Sequence, residues 1–401
     1  MAKNSALLLI SLLFGLVVLE VGLRLFTPFP IHGEMANRAR HTVLGYTLNP
    51  ELPGVDRQGF RNPRVPSSYE IAAIGDSHTY GVNVASRESW PALLSRLSGQ
   101  SVYNLGVSGY NVLQYHYLVQ KALSDGAKTI LIGLYPANDL IDTCHLLAKP
   151  HYQKLSQRLR LLGPDHCQSS SPDSKSQKKP ADSAAKSPTA KSGWSKSIEA
   201  FAPGRMVKVI TGSATVSALD YWIWTPLQER FSGMDDEQRP RVYAFPSAAG
   251  SIDVAEKRVR RHFQYTDLTQ TRIWHNHLDS LVLLQDIQEM IARWGGKLLV
   301  MIIPSREQVV HHWALAQGLD IPPEYARHIA SQVDLVSRYL TFFAENNIPA
   351  KSALPSVSTA LDRVVGEGGR FYPAGNDGHP FQAGYRAYAE VAWDLLREES
   401  P

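Results

Sequence analysis

The chain has 401 residues, of which 44% are hydrophobic and 19% are charged. This is the composition of an ordinary globular protein, and it excludes a chain that is disordered throughout. The formal net charge is +4, and residues 168–197 account for it with six lysines and two aspartates. The balanced remainder argues against a basic face for nucleic acid. Two cysteines, Cys144 and Cys167, exclude a disulfide scaffold, although one bridge between them is compatible with an oxidising compartment.

The first apolar segment is residues 6–26, interrupted only by Glu20 and Arg24. As a helix it spans roughly 31 Å, about the thickness of the hydrocarbon core of a bilayer. No small-residue cleavage site follows, which favours an uncleaved single-pass anchor; a cleaved signal peptide and a buried helix are the alternatives. By analogy with other short N-terminal anchors, we expect the rest of the chain to be periplasmic or otherwise extracytoplasmic.

Residues 27–70 are rich in Pro, Gly and Arg and are interpreted as an irregular lead-in. A strand–helix alternation follows, with strands predicted at residues 70–74, 101–104 and 129–135. One helix is predicted after Ser89, and a second runs from Val112 to Leu123. The third strand is an unbroken apolar run, which is typical of a parallel strand covered on both faces.

The alternation stops between residues 151 and 265, which are interpreted as a large insertion. Residues 168–197 are mostly Ser, Lys, Ala and Pro, so they cannot bury enough surface to offset the entropy of ordering. They are predicted to be a disordered, solvated loop; binding of an acidic polymer or lipid headgroup is the alternative. The pattern assigns no structure to residues 199–265, for which a cap over a site is one interpretation.

The alternation resumes in residues 266–401. A helical stripe ends at Gly295-Gly296, a buried strand follows at residues 297–303, and further helices are predicted near residues 333–343 and 385–396. Residues 71–150 and 266–401 are therefore predicted to be two halves of one α/β domain with a doubly wound parallel sheet.

Polar residues gather at the predicted strand ends, where parallel sheets bind their ligands. Ser77 follows the first strand and opens a helix. A serine hydroxyl needs a base to become nucleophilic; His379 can supply it, and Asp377 can orient the imidazole. Acyl transfer also builds an oxyanion, for which the candidate donors are the backbone N–H groups of Ser77 and Gly109 and the amide of Asn138. These residue types indicate serine-based acyl transfer.

The same residues resemble the four motifs of the SGNH/GDSL hydrolase family, in its bacterial, membrane-anchored form. The matching segments are Gly75-Asp76-Ser77, Asn104-x-Gly106-x-x-Gly109, residues 136–139, and Asp377-x-His379. The resemblance implies a flavodoxin-like sheet, Ser77 as nucleophile, His379 as base and Asp377 as its acidic partner. It further implies an oxyanion hole formed by Ser77, Gly109 and Asn138. No cofactor and no metal ion are expected.

Two positions depart from the usual family pattern. The third motif begins with Pro136 instead of glycine, and one residue instead of two separates Asp377 from His379. The shorter D-x-H spacing resembles bacterial relatives that handle the acetyl groups of polysaccharides. Asp142, four residues after Asn138, is the alternative carboxylate for orienting the base.

Other histidines give weaker signals. His275 and His277 lie two apart in a predicted helix, so their rings point to different faces and a zinc site is not predicted. His311 and His312 are interpreted as a solvated pair. His78 is expected either to contact substrate or to pack beside the nucleophile.

The predicted function is serine-dependent hydrolysis of short acyl or acetyl esters, with an acetylated carbohydrate among the expected substrates. The alternative is an O-acetyltransferase that modifies an exported or cell-surface polysaccharide, working with a membrane-bound acyl-transfer partner. A second alternative is a non-catalytic, anchored glycan-binding or scaffold protein. Contact with a membrane through residues 6–26 is expected in each case, and binding of nucleic acid in none.

Overall fold

The structure is a computed structural model, and it describes residues 38–52, 54–139, 150–152, 241–248, 250–373 and 377–399, together with isolated positions. These ranges belong to one compact unit, formed by residues 37–174 and 240–401. The predicted disordered loop, the pair Cys144 and Cys167, and the predicted anchor apart from isolated residues lie outside the described ranges. None of the helices described has both the length and the apolar content that crossing a bilayer requires.

The described strands form one central sheet and two hairpins. In chain order they are β1 (Arg38–His41), β2 (Gly45–Leu48), β3 (Ile71–Gly75), β4 (Val102–Asn104), β5 (Thr129–Leu134), β6 (Val242–Ser247), β7 (Gly250–Ala255), β8 (Lys297–Ile302) and β9 (Ala350–Ser352). Strands β1 and β2 pair antiparallel, as do β6 and β7.

The described helices connect and cover these strands. They are α1 (Ser77–Tyr80), α2 (Trp90–Ser98), α3 (Val112–Ser124), α4 (Pro136–Asp139), α5 (Glu256–Thr266), α6 (Thr271–Arg293), α7 (Arg306–Ala316), α8 (Pro323–Glu345), α9 (Leu354–Gly366) and α10 (Gln382–Glu398). Short 3₁₀ turns lie at Ser86–Glu88 and Pro150–Tyr152.

The central sheet has five parallel strands in the order β4-β3-β5-β8-β9. Ile71 of β3 lies opposite both Val102 and Thr129, and Thr129 lies opposite Lys297. This is the 2-1-3-4-5 order of a flavodoxin-like sheet, in which the winding direction switches between β3 and β5. Ligands of such sheets bind at the carboxyl ends of the strands beside this switch point.

Both faces of the sheet are buried. Ala72 and Ile74 of β3 pack into one apolar core with α3, α6 and α8, whereas Ile71 and Ala73 pack into a second core with α2, α7, α9 and α10. Alternate strand residues point to opposite faces, so a fully apolar strand is stable only between two helical layers. The expectation of an α/β chain with a doubly wound parallel sheet is confirmed for the described residues.

Helix starts follow local sequence. Asn111 precedes α3, and its side chain accepts a hydrogen bond from the Leu113 N–H while Gln114 accepts one from the Asn111 N–H. Ser305 and Gln308 make the same reciprocal pair at the start of α7. Such caps satisfy backbone donors that have no partner within the helix.

Two parts of the structure contain elements that the sequence pattern did not assign. Residues 38–48, inside the predicted irregular lead-in, form the β1–β2 hairpin. Residues 242–266, inside the predicted insertion, form the β6–β7 hairpin and α5. In the first hairpin, strands of four residues carry too short a pattern to recognise. This hairpin also depends on distant contacts, since the Tyr110 hydroxyl donates to the Tyr46 carbonyl at 2.5 Å.

Candidate active site

Three of the residues singled out from the sequence lie in one hydrogen-bonded chain. The Ser77 Oγ lies 2.7 Å from the His379 Nε2, although 302 positions separate the two residues. On the other side of the ring, the His379 Nδ1 lies 2.6 Å from the Asp377 Oδ1. A carboxylate on Nδ1 favours the tautomer whose Nε2 is free to accept the proton of the hydroxyl.

Ser77 is held where β3 ends and α1 begins. The preceding residue, Asp76, caps this short helix by accepting the His78 N–H at 2.9 Å, and α1 ends after one turn at Gly81 in the left-handed conformation. The side chain of Ser77 lies largely buried, at the carboxyl edge of the sheet. Its hydroxyl therefore sits beside the switch point of the sheet, where ligands of this fold class bind.

Asp76 links the first and third motifs. Its fully buried carboxylate accepts a hydrogen bond from the Asn138 amide at 3.0 Å, and the same Oδ2 lies 3.3 Å from the Ser77 Oγ. Burial raises the pKa of Asp76, although the hydrogen bonds and the nearby His379 oppose that rise. Because Asn138 follows β5 and Asp76 follows β3, this contact fixes the Asn138 amide next to Ser77.

The second motif approaches the same edge through its backbone. The Val107 N–H donates to the Gly75 carbonyl at 3.3 Å, so the segment after β4 lies against the end of β3. Two residues later Gly109 has a φ of 81°, a left-handed conformation that favours glycine. A Cβ on Gly109 would also lie 2.9 Å from the hydroxyl oxygen of Tyr46.

Two residues that the sequence did not single out hold the Asp377–His379 segment. The Asn83 amide donates to the Asp377 Oδ2 at 2.8 Å and to the His379 carbonyl at 3.0 Å. The Arg306 guanidinium donates to the Asp377 carbonyl at 2.9 Å. Neither residue belongs to a recognisable motif, and only their position in space relates them to His379.

The charge on Asp377 is stabilised by these neighbours. Burial alone would raise the pKa of Asp377, but the charge of His379 and the hydrogen bonds from His379 and Asn83 outweigh burial. The net result is a pKa below the ordinary value for an aspartate. The carboxylate therefore stays ionised across the neutral range.

A buried ion pair lies behind the same segment. The Arg258 Nε lies 2.5 Å from one oxygen of Glu307, and the other oxygen lies 2.9 Å from the His262 Nδ1. Burial would raise the pKa of Glu307, but the charges of Arg258 and His262 hold it well below its usual value. Arg258 lies in helix α5, which belongs to the stretch that the sequence pattern left unassigned. The Arg258 guanidinium packs against the segment between Asp377 and His379, because a Cβ on Gly378 would lie 1.8 Å from the Arg258 Nη2.

His78 packs beneath the site. It is 1% exposed, and its ring lies 4.5 Å from the His379 ring and 4.4 Å from that of Tyr135, centre to centre. Burial, followed by the charge of His379, holds the pKa of His78 well below its usual value. His78 is therefore neutral at pH 7 and acts as a packing partner of the His379 ring.

The remaining sequence candidates lie elsewhere or are not described. His277 is buried in α6 against Tyr339, while His275 on the same helix is half-buried. Asp142, the alternative orienting carboxylate, lies outside the described ranges. Over those ranges, no group of three or more His, Cys, Asp or Glu side chains is placed to hold a metal ion.

No family model and no curated protein matches the chain in sequence. Among solved structures, the chain is similar to that of an extracellular lipase from Streptomyces rimosus, with a TM-score of 0.36 and 11% sequence identity. This similarity covers 83% of the chain and 100% of the lipase chain. A TM-score and a sequence identity this low give no information about function, so function is inferred from the geometry of the site.

Proposed function

We propose that this protein is a serine-dependent ester hydrolase that forms an acyl-enzyme on Ser77, with short acyl or acetyl esters as substrates. The observation that carries the proposal is the 2.7 Å contact between the Ser77 Oγ and the His379 Nε2, with Asp377 on the opposite ring nitrogen. A hydroxyl, an imidazole and a carboxylate in this order form the arrangement that activates serine nucleophiles.

The reaction follows from these contacts. As the Ser77 Oγ bonds to the carbonyl carbon of the ester, its proton moves to the His379 Nε2, and Asp377 stabilises the imidazolium. The carbonyl electrons move onto the oxygen, which the N–H groups of Ser77 and Gly109 and the Asn138 amide stabilise. Collapse of this intermediate expels the alcohol, which takes the proton from the Nε2. Water then attacks the acyl-enzyme by the same steps in reverse order.

The oxyanion role assigned to Asn138 is supported by how its amide is held. One N–H of the Asn138 Nδ2 is occupied by Asp76. An amide nitrogen has two donors, so we assign the other N–H of the same nitrogen to the developing negative charge. Removing a donor of this kind lowers the rate by about 100- to 1000-fold.

The test is hydrolysis of p-nitrophenyl acetate by the wild-type protein, Ser77→Ala and Ser124→Ala. Ser124 is an exposed serine at the end of α3, so its variant is a matched control. Turnover should fall at least about 1000-fold in Ser77→Ala and stay unchanged in Ser124→Ala. A fluorophosphonate should label the wild-type protein at Ser77. Equal turnover by all three proteins would contradict the proposal, and turnover no faster than in buffer would favour the non-catalytic alternative.

The acceptor of the acyl group separates hydrolysis from transfer. Both reactions pass through the same acyl-enzyme, and a sugar hydroxyl replaces water in an O-acetyltransferase. Addition of an oligosaccharide to the acetyl ester assay should leave the release of acetate unchanged in a hydrolase. Acetylated oligosaccharide formed at the expense of free acetate would identify the transferase, for which a membrane-bound acyl-transfer partner is expected.

The proposal includes a location for this chemistry. The apolar residues 6–26 support a single-pass anchor, with the site in a periplasmic or other extracytoplasmic compartment. The full chain should then sediment with membranes and resist extraction by alkaline carbonate, whereas a variant lacking residues 1–26 should not. Release of the full chain by carbonate would contradict the anchor without affecting the proposal for Ser77.

A further inference from the structure

The β1–β2 hairpin makes two contacts with one peptide group of the second motif. The Tyr46 hydroxyl donates to the Ser108 carbonyl at 2.8 Å, and the Arg38 guanidinium donates to the same oxygen at 3.1 Å. The Arg38 guanidinium carbon also lies 3.7 Å from the centre of the Tyr46 ring, so the two side chains that donate to this oxygen are packed against each other. The N–H of this peptide group belongs to Gly109, one of the three donors that the proposed function assigns to the oxyanion hole.

A peptide group is a rigid plane, so bonds made to its carbonyl orient its N–H. Hydrogen bonds in a chain also polarise one another, and a bond from a charged guanidinium polarises a carbonyl more than a neutral donor does. Gly109 has a φ of 81° and its neighbouring backbone reaches the end of β3 through the Val107–Gly75 bond. Its plane is therefore set from two sides, by the sheet and by the hairpin.

We infer that Arg38 and Tyr46 are positioning residues for the oxyanion hole, and that the hairpin thereby completes the site of the α/β domain. This inference rests on the proposed function, because it concerns the stabilisation of the same oxyanion. The role assigned to Arg38 and Tyr46 is exerted through the Ser108–Gly109 peptide, whose carbonyl both side chains bind. Replacing either residue reduces the stabilisation of the transition state by the oxyanion hole and leaves binding of the ground-state ester almost unchanged.

The experiment compares Tyr46→Phe and Arg38→Met with the control Tyr110→Phe in the full chain. The Tyr110 hydroxyl also ties the hairpin to the domain, but through the Tyr46 carbonyl, so Tyr110→Phe removes a docking bond and keeps both donors to the Ser108 carbonyl. We expect kcat for p-nitrophenyl acetate to fall about 10-fold in each of the first two variants with KM within about twofold. The fall is smaller than the 100- to 1000-fold cost of deleting a donor, because the donor remains in place. The Tyr110→Phe protein should keep its kcat within about twofold.

A second readout separates this role from a loss of folding. Phenylboronic acid forms a tetrahedral adduct with a nucleophilic serine, so its inhibition constant should rise in step with the fall in kcat. Thermal melting of the three variants shows whether the hairpin remains docked.

Wild-type kcat and inhibition constant in both Tyr46→Phe and Arg38→Met, with Ser77→Ala inactive, would overturn the inference and leave the proposed function standing. Absence of Ser77-dependent turnover in the wild-type protein would instead overturn the proposed function and the inference with it. An equal loss in Tyr110→Phe would overturn the inference in favour of general docking of the hairpin.

Discussion

Asn83 and Asp377 are 294 positions apart in the chain, and the Asn83 amide donates a 2.8 Å hydrogen bond to the Asp377 Oδ2. Asn83 has a φ of 69°, so this residue adopts a left-handed conformation that costs free energy in any residue with a side chain beyond Cα. Arg61 holds the loop around it by donating to the Gly81 and Val84 carbonyls at 2.5 and 2.7 Å. The loop after α1 thus supports the carboxylate that orients His379.

Replacement of Asn83 tests this support. Asn83→Ala removes the amide, so the Asp377–His379 segment loses two hydrogen bonds and kcat for an acetyl ester should fall about 10-fold. Asn83→Gly also removes the amide but relieves the backbone strain, and we expect the same fall. Wild-type kcat in Asn83→Gly would show that only the loop conformation matters. Asn347 also has a positive φ, of 53°, but lies after α8, so Asn347→Ala should affect melting temperature and not kcat.

Replacement of Gly378 tests how closely Arg258 packs on the segment between Asp377 and His379. A methyl group at Gly378 would meet the Arg258 guanidinium, which is itself fixed by its ion pair with Glu307. Gly378→Ala should therefore displace His379 from Ser77 and lower kcat at least about 10-fold. A Cβ added at Gly366 would meet no described atom within 4 Å, so Gly366→Ala is the control and should retain full activity. Full activity of Gly378→Ala, measured at saturating ester, would show that the Arg258 guanidinium moves aside without displacing His379.

Replacement of Glu307 tests the buried ion pair behind the site. Glu307→Gln removes the buried charge that faces both Arg258 and His262, which costs about 3–5 kcal/mol of unfolding free energy. Glu398→Gln removes the partner of Lys351 in an exposed pair and should cost less than about 1 kcal/mol. Urea denaturation of both variants measures the difference. A similar small loss in each would mean that water or another group compensates Arg258.

The pH dependence of stability tests the buried imidazole of His277. Burial, followed by the charge of Arg338, lowers the pKa of His277 from 6.5 to about 4. In the unfolded chain His277 is protonated below about pH 6.5, whereas in the folded chain it is protonated only below about pH 4. The folded state is therefore destabilised as the pH falls from about 6.5 to about 4. Between pH 7.5 and 4.5 the contribution amounts to roughly 2–3 kcal/mol, at about 1.36 kcal/mol for each pKa unit.

The comparison uses His277→Gln and, as a control, His275→Gln on the same helix. Urea unfolding at pH 7.5 and 4.5 should show a smaller loss of free energy at low pH in His277→Gln than in the wild-type protein. His275 is only half-buried, so its variant should follow the wild-type protein. The same pH dependence in all three proteins would mean that His277 accepts its proton without cost in the folded state.

Much of the sheet was predictable because its signals are local. The apolar runs at residues 129–135 and 297–303 correspond to β5 and β8, and the stripe ending at Gly295-Gly296 corresponds to the end of α6. Strand β9 escaped prediction because its three residues are each half-buried and carry no apolar pattern. The hairpin β1–β2 escaped for a similar reason, since bonds to distant residues stabilise its short strands.

The site could be predicted only in part. Ser77, Asn138 and His379 could be singled out because each stands next to a predicted element and each has a side chain suited to acyl transfer. The same criterion could not identify Asn83, Arg306 or Arg258, because an asparagine in a loop and arginines in helices are ordinary surface residues in sequence. Their importance comes from contacts with one short segment, which no spacing in the chain reveals.

The sequence by itself determined the alternation of strands and helices, the apolar faces that require two helical layers, and the identity of the groups available for chemistry. Those properties depend on near neighbours in the chain, through periodicity and capping. Only the tertiary structure decided that His379 lies within hydrogen-bonding distance of Ser77, and that one residue between Asp377 and His379 is enough to close their contact. Such distances depend on how the layers pack, because packing is decided by the shapes and contacts of residues hundreds of positions apart.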